Sequence, residues 1–231
     1  MPRTARASVA DICYHVINRG NGRAAVFHDE TDYAAFMDVI EEACERIPMR
    51  VSAYCLMPNH FHLVLWPRGD GDLSRWMQWV MTCHVRRHHR RYKSSGHVWQ
   101  GRFKAFPVQK DAHLLAVLRY VERNPVRAKL VERAEDWRWS SLTRIGTIGR
   151  AGSSRNLARQ TPVPLPRGWR GHVNSAETLE ELETLRNSVN RGAPYGGMRW
   201  AGRTAQRLGL EAAMRPRGRP RLKPDPKQKL K

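Results

Sequence analysis

The sequence is poor in acidic residues and lacks the cysteine pairs of small secreted domains. Its 231 residues include 21 aspartates and glutamates against 41 lysines and arginines, which gives a formal net charge of +20. The four cysteines are scattered without a Cys-x-x-Cys pair, so neither a disulfide framework nor a structural zinc site is indicated. No apolar run approaches the roughly 18 residues of a membrane span, and the N-terminus lacks a signal-peptide core. We therefore expect a cytoplasmic, nucleoid-associated protein whose partner is nucleic acid rather than a membrane.

Two histidines one residue apart open an apolar segment. His60 and His62 flank Phe61 and lead into Leu63-Val64-Leu65-Trp66, a pattern that predicts a β-strand. Because successive strand side chains point to opposite faces, both imidazoles lie on the same face. Neutral imidazoles paired in this way can hold a divalent metal ion, and a metal ion on a basic protein suggests phosphate chemistry. Taken alone, the pair is equally compatible with packing or surface histidines.

The order of the predicted elements indicates an α+β fold. Alternation and helical spacing predict strand, helix, strand, strand, helix, strand and helix along residues 11–143. This order is typical of a ferredoxin-like split β-α-β sheet with an added helix, which we expect to be catalytic. The predicted strands cover residues 12–18, 51–56, 61–66 and 98–108, and the predicted helices cover residues 31–46, 72–92 and 111–123.

Composition divides the chain into four parts. Residues 1–143 form the predicted domain, and residues 144–172 lose periodicity and gain glycine, serine, proline and arginine, as a linker does. Residues 173–211 predict a small helical appendage, in which Asn174 and Glu177 stand at capping-box spacing. Residues 212–231 are rich in lysine, arginine and proline, and we expect this basic tail to be disordered.

The predicted third helix separates three polar side chains from its apolar side. At 100° per residue its leucines face the core, whereas His113, Tyr120 and Asn124 share another face. Tyr120 and Asn124 stand at i and i+4, from which two side chains can reach one target. Taken singly, Tyr120 is more often a half-buried helix residue, and Asn124 before Pro125 could be a helix terminator.

These segments together resemble a family of single-strand tyrosine transposases. His60-Phe61-His62 is similar to its HUH motif (histidine, hydrophobe, histidine), and LRYVERNPVRA at residues 118–128 is similar to its tyrosine helix. The stretch from YHVINRG at residues 14–20 to WSS at residues 139–141 resembles one branch, the REP-associated tyrosine transposases. REP stands for repetitive extragenic palindrome. The resemblance covers about residues 11–143.

The resemblance implies a metal-dependent endonuclease and strand transferase acting on single-stranded DNA. His60 and His62 would hold Mg²⁺ or Mn²⁺, and Asn124 would add an oxygen ligand. Tyr120 would attack the scissile phosphate and form a covalent 5′-phosphotyrosine link. The implied substrate is a hairpin-forming REP, and the active unit would be a monomer or a homodimer. His113 becomes a candidate to assist Tyr120, although helical phase alone supports that role.

Basic and aromatic residues are interleaved in the second helix and in the segment that follows it. This composition is expected where bases stack on rings while lysine and arginine follow the phosphate backbone. Trp76, Phe103 and Phe106 could equally be core residues. Residues 216–221 of the tail resemble an AT-hook, which lies in the narrow minor groove of A·T-rich DNA. The candidate DNA-binding residues are Arg86, Arg87, Arg90, Arg91, Arg102, Lys104, Arg217 and Arg219.

Two other functions stay open at this point. A non-catalytic protein derived from such an enzyme would bind the hairpin without cutting it, although the intact motif residues weigh against this. A ferredoxin-like RNA-binding protein would use aromatic residues of its sheet, and a preference for the 2′-hydroxyl in competition binding would reveal it.

Overall fold

The computed structural model describes residues 8–144 and 160–215, and its centre is a four-stranded antiparallel sheet. The strand order is β2-β3-β1-β4, which is the ferredoxin-like arrangement expected from the order of elements. The predicted α+β fold with a split β-α-β sheet is therefore confirmed. The strands are β1 (Cys13–Arg19), β2 (Met49–Met57), β3 (His60–Pro67) and β4 (Lys104–Val108).

Two long helices, α1 (Glu30–Arg46) and α2 (Asp72–Tyr92), cover one face of the sheet. The Asp29 side chain begins α1 by accepting hydrogen bonds from two backbone N–H groups of the first turn. The apolar stripes of both helices pack on every second residue of the central strands, so this face is filled by aromatic and aliphatic side chains. Its buried residues include Phe36, Ile40, Phe61, Leu63, Trp76 and Val80.

The opposite face of the sheet is covered by α3 (Ala112–Glu122), and α4 (Asn124–Arg127) follows it after one residue. The Asp111 side chain caps α3 as expected. The helix is interrupted at Arg123 rather than ended by Asn124, which begins α4 with Pro125 in its first turn. A proline is tolerated there because the first N–H groups of a helix have no partner within it.

The fourth strand is shorter than its apolar pattern predicted. Residues 98–103 lie outside β4, and this part of the prediction is wrong. Gly101 has a φ of 153°, which interrupts regular strand geometry. Before it, the chain crosses the end of β1, where the Gln100 N–H donates to the Arg19 carbonyl and the Asn18 side chain donates to the Gly101 carbonyl.

The C-terminal residues pack against the α3 side of the molecule. Helix α5 (Trp169–Asn174) lies across the predicted boundary at residue 172, and its first residue, Trp169, is buried beside α3. The capping box of α6 (Leu179–Arg191) consists of Thr178 and Glu181 rather than Asn174 and Glu177. Residues 145–159 and 216–231, which include most of the predicted basic tail, lie outside the described residues. The C-terminal helices are α5 (Trp169–Asn174), α6 (Leu179–Arg191), α7 (Met198–Leu208) and α8 (Glu211–Met214).

In the part of the chain that the structure describes, no helix combines the length and the apolar character needed to cross a membrane.

Candidate active site

The two histidines of β3 lie on the sheet face that α3 covers. Alternation along β3 turns Phe61 into the core under α1 and α2, and it turns His60 and His62 to the other side. The two imidazole rings are 5.1 Å apart between centroids. His62 is 2% exposed, whereas His60, at the start of the strand, is partly exposed. The pair therefore runs from the buried part of β3 to its partly exposed first residue.

Each of these imidazoles is held through its Nδ1 atom. Nδ1 of His60 lies 2.7 Å from Oδ1 of Asn59, and Nδ1 of His62 lies 2.8 Å from Nε2 of His15. The Nε2 atoms of His60 and His62 have no hydrogen-bond partner among the described residues. Nε2 is therefore the atom that each ring can present to a metal ion or a substrate.

Tyr120 lies against this pair. Its ring centroid is 5.8 Å from that of His62 and 6.1 Å from that of His15. The Arg127 guanidinium stacks on the tyrosine ring at 4.1 Å from the centroid, and its Nη2 donates to the Tyr120 carbonyl at 2.8 Å. The predicted nucleophile and the predicted histidine pair are thus in one cluster, although they are far apart in sequence.

Asn124 is buried beside the tyrosine, one helical turn further on. Its Nδ2 donates to the backbone carbonyls of Tyr120 and Val121, at 3.0 and 3.3 Å. Within residues 8–144 and 160–215 its Oδ1 atom has no hydrogen-bond partner. The amide is therefore oriented by its nitrogen, and the oxygen is left to accept a hydrogen bond or to coordinate a cation.

The site keeps its histidines neutral. Burial, with the nearby guanidinium groups of Arg19 and Arg127, lowers the pKa of His60 to about 4. Burial also holds the pKa of His62 well below its usual range, and the neighbouring His15 and His60 add to this effect. Neutral imidazoles have a free lone pair for a metal ion, and the two arginines provide positive charge that suits a phosphate group.

The residues present could hold a divalent metal ion only if ligands from outside the protein completed its coordination. Among the described residues no group of three or more His, Cys, Asp or Glu side chains is arranged to hold a metal ion. Two imidazole nitrogens and one amide oxygen are a possible donor set, and water and phosphate oxygens would complete the coordination of Mg²⁺ or Mn²⁺. These donor atoms belong to His60, His62 and Asn124, the residues that the sequence predicts would hold the ion.

His113 does not lie beside Tyr120. The two residues are seven positions apart on α3, which corresponds to about 10.5 Å along the helix axis. The His113 ring contacts Tyr195 at a centroid distance of 5.4 Å, and its Nδ1 lies 2.8 Å from an Asp111 carboxylate oxygen. This histidine therefore faces the C-terminal helices, and direct assistance to Tyr120 would require it to move.

The predicted DNA-binding residues differ in how available they are. Arg86, Arg87 and Arg90 are exposed along α2, and Arg102 and Lys104 are exposed near β4. Arg91 is also at the surface, but it forms ion pairs with Asp29 and Asp32. The tail residues Arg217 and Arg219 lie outside the described residues. The aromatic residues Trp76, Phe103 and Phe106 are buried, so they pack in the core instead of offering rings to bases.

Sequence reasoning did not identify His15 or Arg127 as parts of the site. His15 lies on β1, and because it pairs with Val64 in the sheet it stands diagonally across from His62. Only the strand register reveals that contact. Arg127 belongs to a row with Arg119 and Arg123 at four-residue spacing, which the sequence does show and which could have pointed to one helix face.

This arginine row holds the residues that precede α6. Arg119 donates to the Ser175 and Ala176 carbonyls, and Arg123 donates to the Val173 and Asn174 carbonyls. Arg127 donates to a Glu177 carboxylate oxygen at 2.6 Å. A second link comes from buried Glu122, which accepts hydrogen bonds from the Ser141 hydroxyl and the Trp169 indole. The C-terminal segment is thereby connected to the helix that carries Tyr120.

Comparisons with known proteins identify the family and the fold of the chain. The family model for IS200-like transposases matches residues 8–124, about half of the chain. A curated protein of Haemophilus influenzae, named as a REP-associated tyrosine transposase, is 30% identical over an alignment of 126 residues; the match covers 49% of this chain and 71% of that protein. A solved structure of a REP-associated tyrosine transposase bound to a REP hairpin aligns with 66% of this chain and 93% of that chain. Its TM-score is 0.54 at 21% identity, which supports a shared fold.

Proposed function

The chain belongs to the family of IS200-like transposases, and we propose that it is a metal-dependent endonuclease and strand transferase for single-stranded DNA. Its substrate is a hairpin-forming REP, by analogy with the proteins that it resembles. It acts in the cytoplasm, at the nucleoid. Net charge of +20 supports a polyanionic partner, and recognition by shape and phosphate contacts suits a hairpin.

The observation that carries the proposal is the contact between Tyr120 and His62. A phenol ring 5.8 Å from a neutral imidazole, beneath the guanidinium of Arg127, combines a nucleophile with groups that bind phosphate. The three side chains come from β3, α3 and α4. A packing role alone gives no reason for an arginine, a tyrosine and two histidines to converge at one end of a sheet.

In the proposed reaction the Tyr120 hydroxyl oxygen attacks the scissile phosphorus. A bond forms between the tyrosine oxygen and the phosphorus, which links Tyr120 to the 5′-phosphate of the downstream DNA. The bond from phosphorus to the 3′ oxygen of the upstream DNA breaks, and that oxygen takes up a proton to become a free 3′-hydroxyl. The proton of the tyrosine passes to water. Arg127 and Arg19 stabilise the charge that develops on the phosphate oxygens. A divalent ion held by His60, His62 and Asn124 would supply a Lewis acid.

The reverse reaction joins strands. A 3′-hydroxyl attacks the phosphotyrosine, the new phosphodiester forms, and the tyrosine oxygen leaves with a proton. One phosphodiester-type bond is exchanged for another in each step, so no nucleotide cofactor is required. The same site therefore supports both cleavage and strand transfer.

Catalysis within one chain is the arrangement that we favour. Tyr120 and His62 are in contact in a single copy, which supports a monomeric active unit. Mixing Tyr120→Phe with His62→Ala tests this, because a site shared between two subunits would regain activity in mixed dimers. We expect the mixture to remain inactive, and recovered nicking would instead indicate a homodimer with an exchanged tyrosine.

The central experiment detects the covalent intermediate. REP hairpin oligonucleotides labelled at the 5′ or the 3′ end are incubated with the protein and Mn²⁺ or Mg²⁺, and the products are separated on a denaturing protein gel. We expect a metal-dependent adduct that carries only the DNA on the 3′ side of the cut. Tyr120→Phe should bind the hairpin but form no adduct.

Tyr195→Phe is a matched control, because Tyr195 and Tyr120 are equally buried, at 8% exposure. An adduct in Tyr120→Phe, or its loss in both variants, would contradict the assignment of the nucleophile. Tight hairpin binding by the wild-type protein without any adduct would identify a DNA-binding protein that has lost cleavage.

A further inference from the structure

The two histidines of the site have different partners at Nδ1, and these partners decide which nitrogen carries the proton. We propose that Asn59 and His15 are positioning residues that hold His60 and His62 in the tautomer with the proton on Nδ1 and a free lone pair on Nε2. The inference rests on the proposed metal-dependent function, since it concerns how the two imidazoles are prepared for a metal ion.

The tautomer of His60 follows from the orientation of one amide. Asn59 Nδ2 donates to the Arg23 carbonyl at 3.1 Å, which turns Oδ1 toward the histidine. An amide oxygen can only accept a hydrogen bond. Nδ1 of His60, 2.7 Å away, must therefore carry the proton. Its Nε2 is left with the lone pair that a metal ion needs.

His62 is a different case, because its partner is another imidazole. If His15 donated through Nε2, then His62 would carry its own proton on Nε2 and could not coordinate a metal ion. If His15 accepts through Nε2, then His62 donates through Nδ1 and its Nε2 is free. Both rings are buried and therefore neutral, so these are the two arrangements open to the pair.

The charges around the site favour the second arrangement. Arg19 pairs with His60 in the sheet, and the Arg127 guanidinium stacks on the Tyr120 ring, which contacts His62. A free lone pair on Nε2 of His62 is favourable near these cations, whereas an N–H bond would add positive charge beside them. His15 then carries its own proton on Nδ1, which is buried and has no partner in the described structure.

The unpaired Nδ1–H group of His15 lowers the stability of the fold, so its presence needs an explanation. A buried donor without a partner costs about 1–3 kcal/mol, and a fully apolar residue at position 15 would avoid this cost. Position 15 lies between Phe106 and Tyr120, where a leucine or phenylalanine would suit the neighbouring core. The imidazole of His15 makes its hydrogen bond to His62. A role in orienting His62 would explain why position 15 is a histidine.

The first test reads the tautomers directly in the full-length, metal-free protein. Long-range ¹H–¹⁵N correlation spectra of the imidazoles show which nitrogen carries the proton, and His60→Ala and His62→Ala assign the signals. We expect Nδ1–H with an unprotonated Nε2 for both rings. A proton on Nε2 of His62 would overturn the proposal for His15.

The second test measures Mn²⁺ affinity by electron paramagnetic resonance. His15→Leu removes the acceptor, and His15→Gln retains one at a similar distance along the side chain. We expect affinity to fall about 10- to 100-fold in His15→Leu and to recover to within a few-fold of wild type in His15→Gln. Asn59→Ala, at a partly exposed position, should weaken binding without disturbing the core. Equal loss in His15→Gln and His15→Leu would indicate a packing role and reject the proposal.

His62→Ala in the same titration separates this inference from the proposed function. If wild type and His62→Ala bind Mn²⁺ equally, then the metal site is wrong, and the spectra still decide which tautomer His15 imposes. If His62→Ala loses binding while His15→Leu retains it, then the metal site stands and the positioning role of His15 is wrong.

Discussion

The two faces of the sheet are made by the same strands, but they bury different kinds of side chain. Under α1 and α2 the core is formed by aromatic and aliphatic residues such as Phe36, Phe61 and Trp76. Under α3 the apolar residues are joined by buried histidines and by the carboxylate of Glu122. Because β-strands alternate, adjacent residues of β3 point into the apolar core on one side and into the candidate site on the other.

The comparison also explains why the C-terminal residues pack where they do. Polar groups on the α3 side are costly to bury unless they find partners. Trp169 supplies one for Glu122, and residues 173–177 supply carbonyl and carboxylate oxygens for the arginine row. The face under α1 and α2 is filled mainly by apolar side chains. The C-terminal segment therefore packs on the α3 side of the sheet, where it supplies partners for these polar groups.

The largest effect is expected on nicking, and it comes from the face of β3 that carries His60 and His62. His62→Ala should abolish metal-dependent nicking, because it removes one of the two imidazole nitrogens available at the site. Folding should largely persist, since the main apolar cluster lies across the sheet. Adduct formation and the unfolding midpoint in urea measure both quantities. If nicking survives in a folded variant, the separation of roles between the two faces would be wrong.

The adjacent residue on the same strand should behave in the opposite way. Phe61 is fully buried against Phe36 and Trp99. Phe61→Ala should lower the free energy of unfolding by about 3–5 kcal/mol, through lost burial and a cavity. Nicking per folded molecule should be retained, as measured at low temperature with the folded fraction known. A stable but inactive Phe61→Ala would contradict the comparison.

A smaller effect is expected where the C-terminal segment meets the α3 side. Glu177 is almost fully buried between Arg123 and Arg127. Glu177→Gln should lower the free energy of unfolding by about 1–3 kcal/mol, because two arginines lose their carboxylate. It should also reduce nicking, since Arg127 contacts Tyr120.

Glu30→Gln is the matched control, because Glu30 pairs with Arg138 at the surface. Its cost should stay below about 1 kcal/mol, with nicking unchanged. Chemical denaturation of both variants measures the difference. Equal costs would mean that the contact at Glu177 is no stronger than a surface pair.

The smallest effect concerns pH and the one histidine buried on the apolar face. His84 packs against Phe27, Phe36 and Trp99, and burial lowers its pKa to about 3. Below the ordinary pKa of about 6.5 the unfolded chain binds a proton at this histidine and the folded chain does not, so stability falls as pH decreases toward 3. Its contribution approaches about 1.4 kcal/mol per pH unit below that value.

His84→Leu should remove this contribution, so that urea midpoints measured between pH 7 and pH 5 fall less steeply than in the wild-type protein. The histidines of the α3 face remain in both proteins and contribute equally to the two slopes. An unchanged slope in the variant would show that His84 binds a proton as readily in the folded protein as in the unfolded chain.

Most of the element order could be predicted from periodicity. The predicted helix over residues 72–92 coincides with α2 (Asp72–Tyr92), because its apolar spacing and its flanking glycines and charges are local signals. The start of β4 could not be predicted in this way. The sequence of residues 98–103 has the apolar pattern of a strand. The backbone of these residues instead hydrogen-bonds to the end of β1 and turns at Gly101.

The features of the candidate site also divide into those that the local sequence predicts and those that it does not. Alternation by itself determined that His60 and His62 share a face, and helical phase determined that Tyr120 and Asn124 can reach one target, since both are properties of a few consecutive residues. Only the tertiary structure decided that His15 meets His62, that His113 faces away from Tyr120, and that Glu177 pairs with Arg127. Strand register and helix packing are set by contacts between residues distant in sequence, and the local pattern of a chain does not specify them.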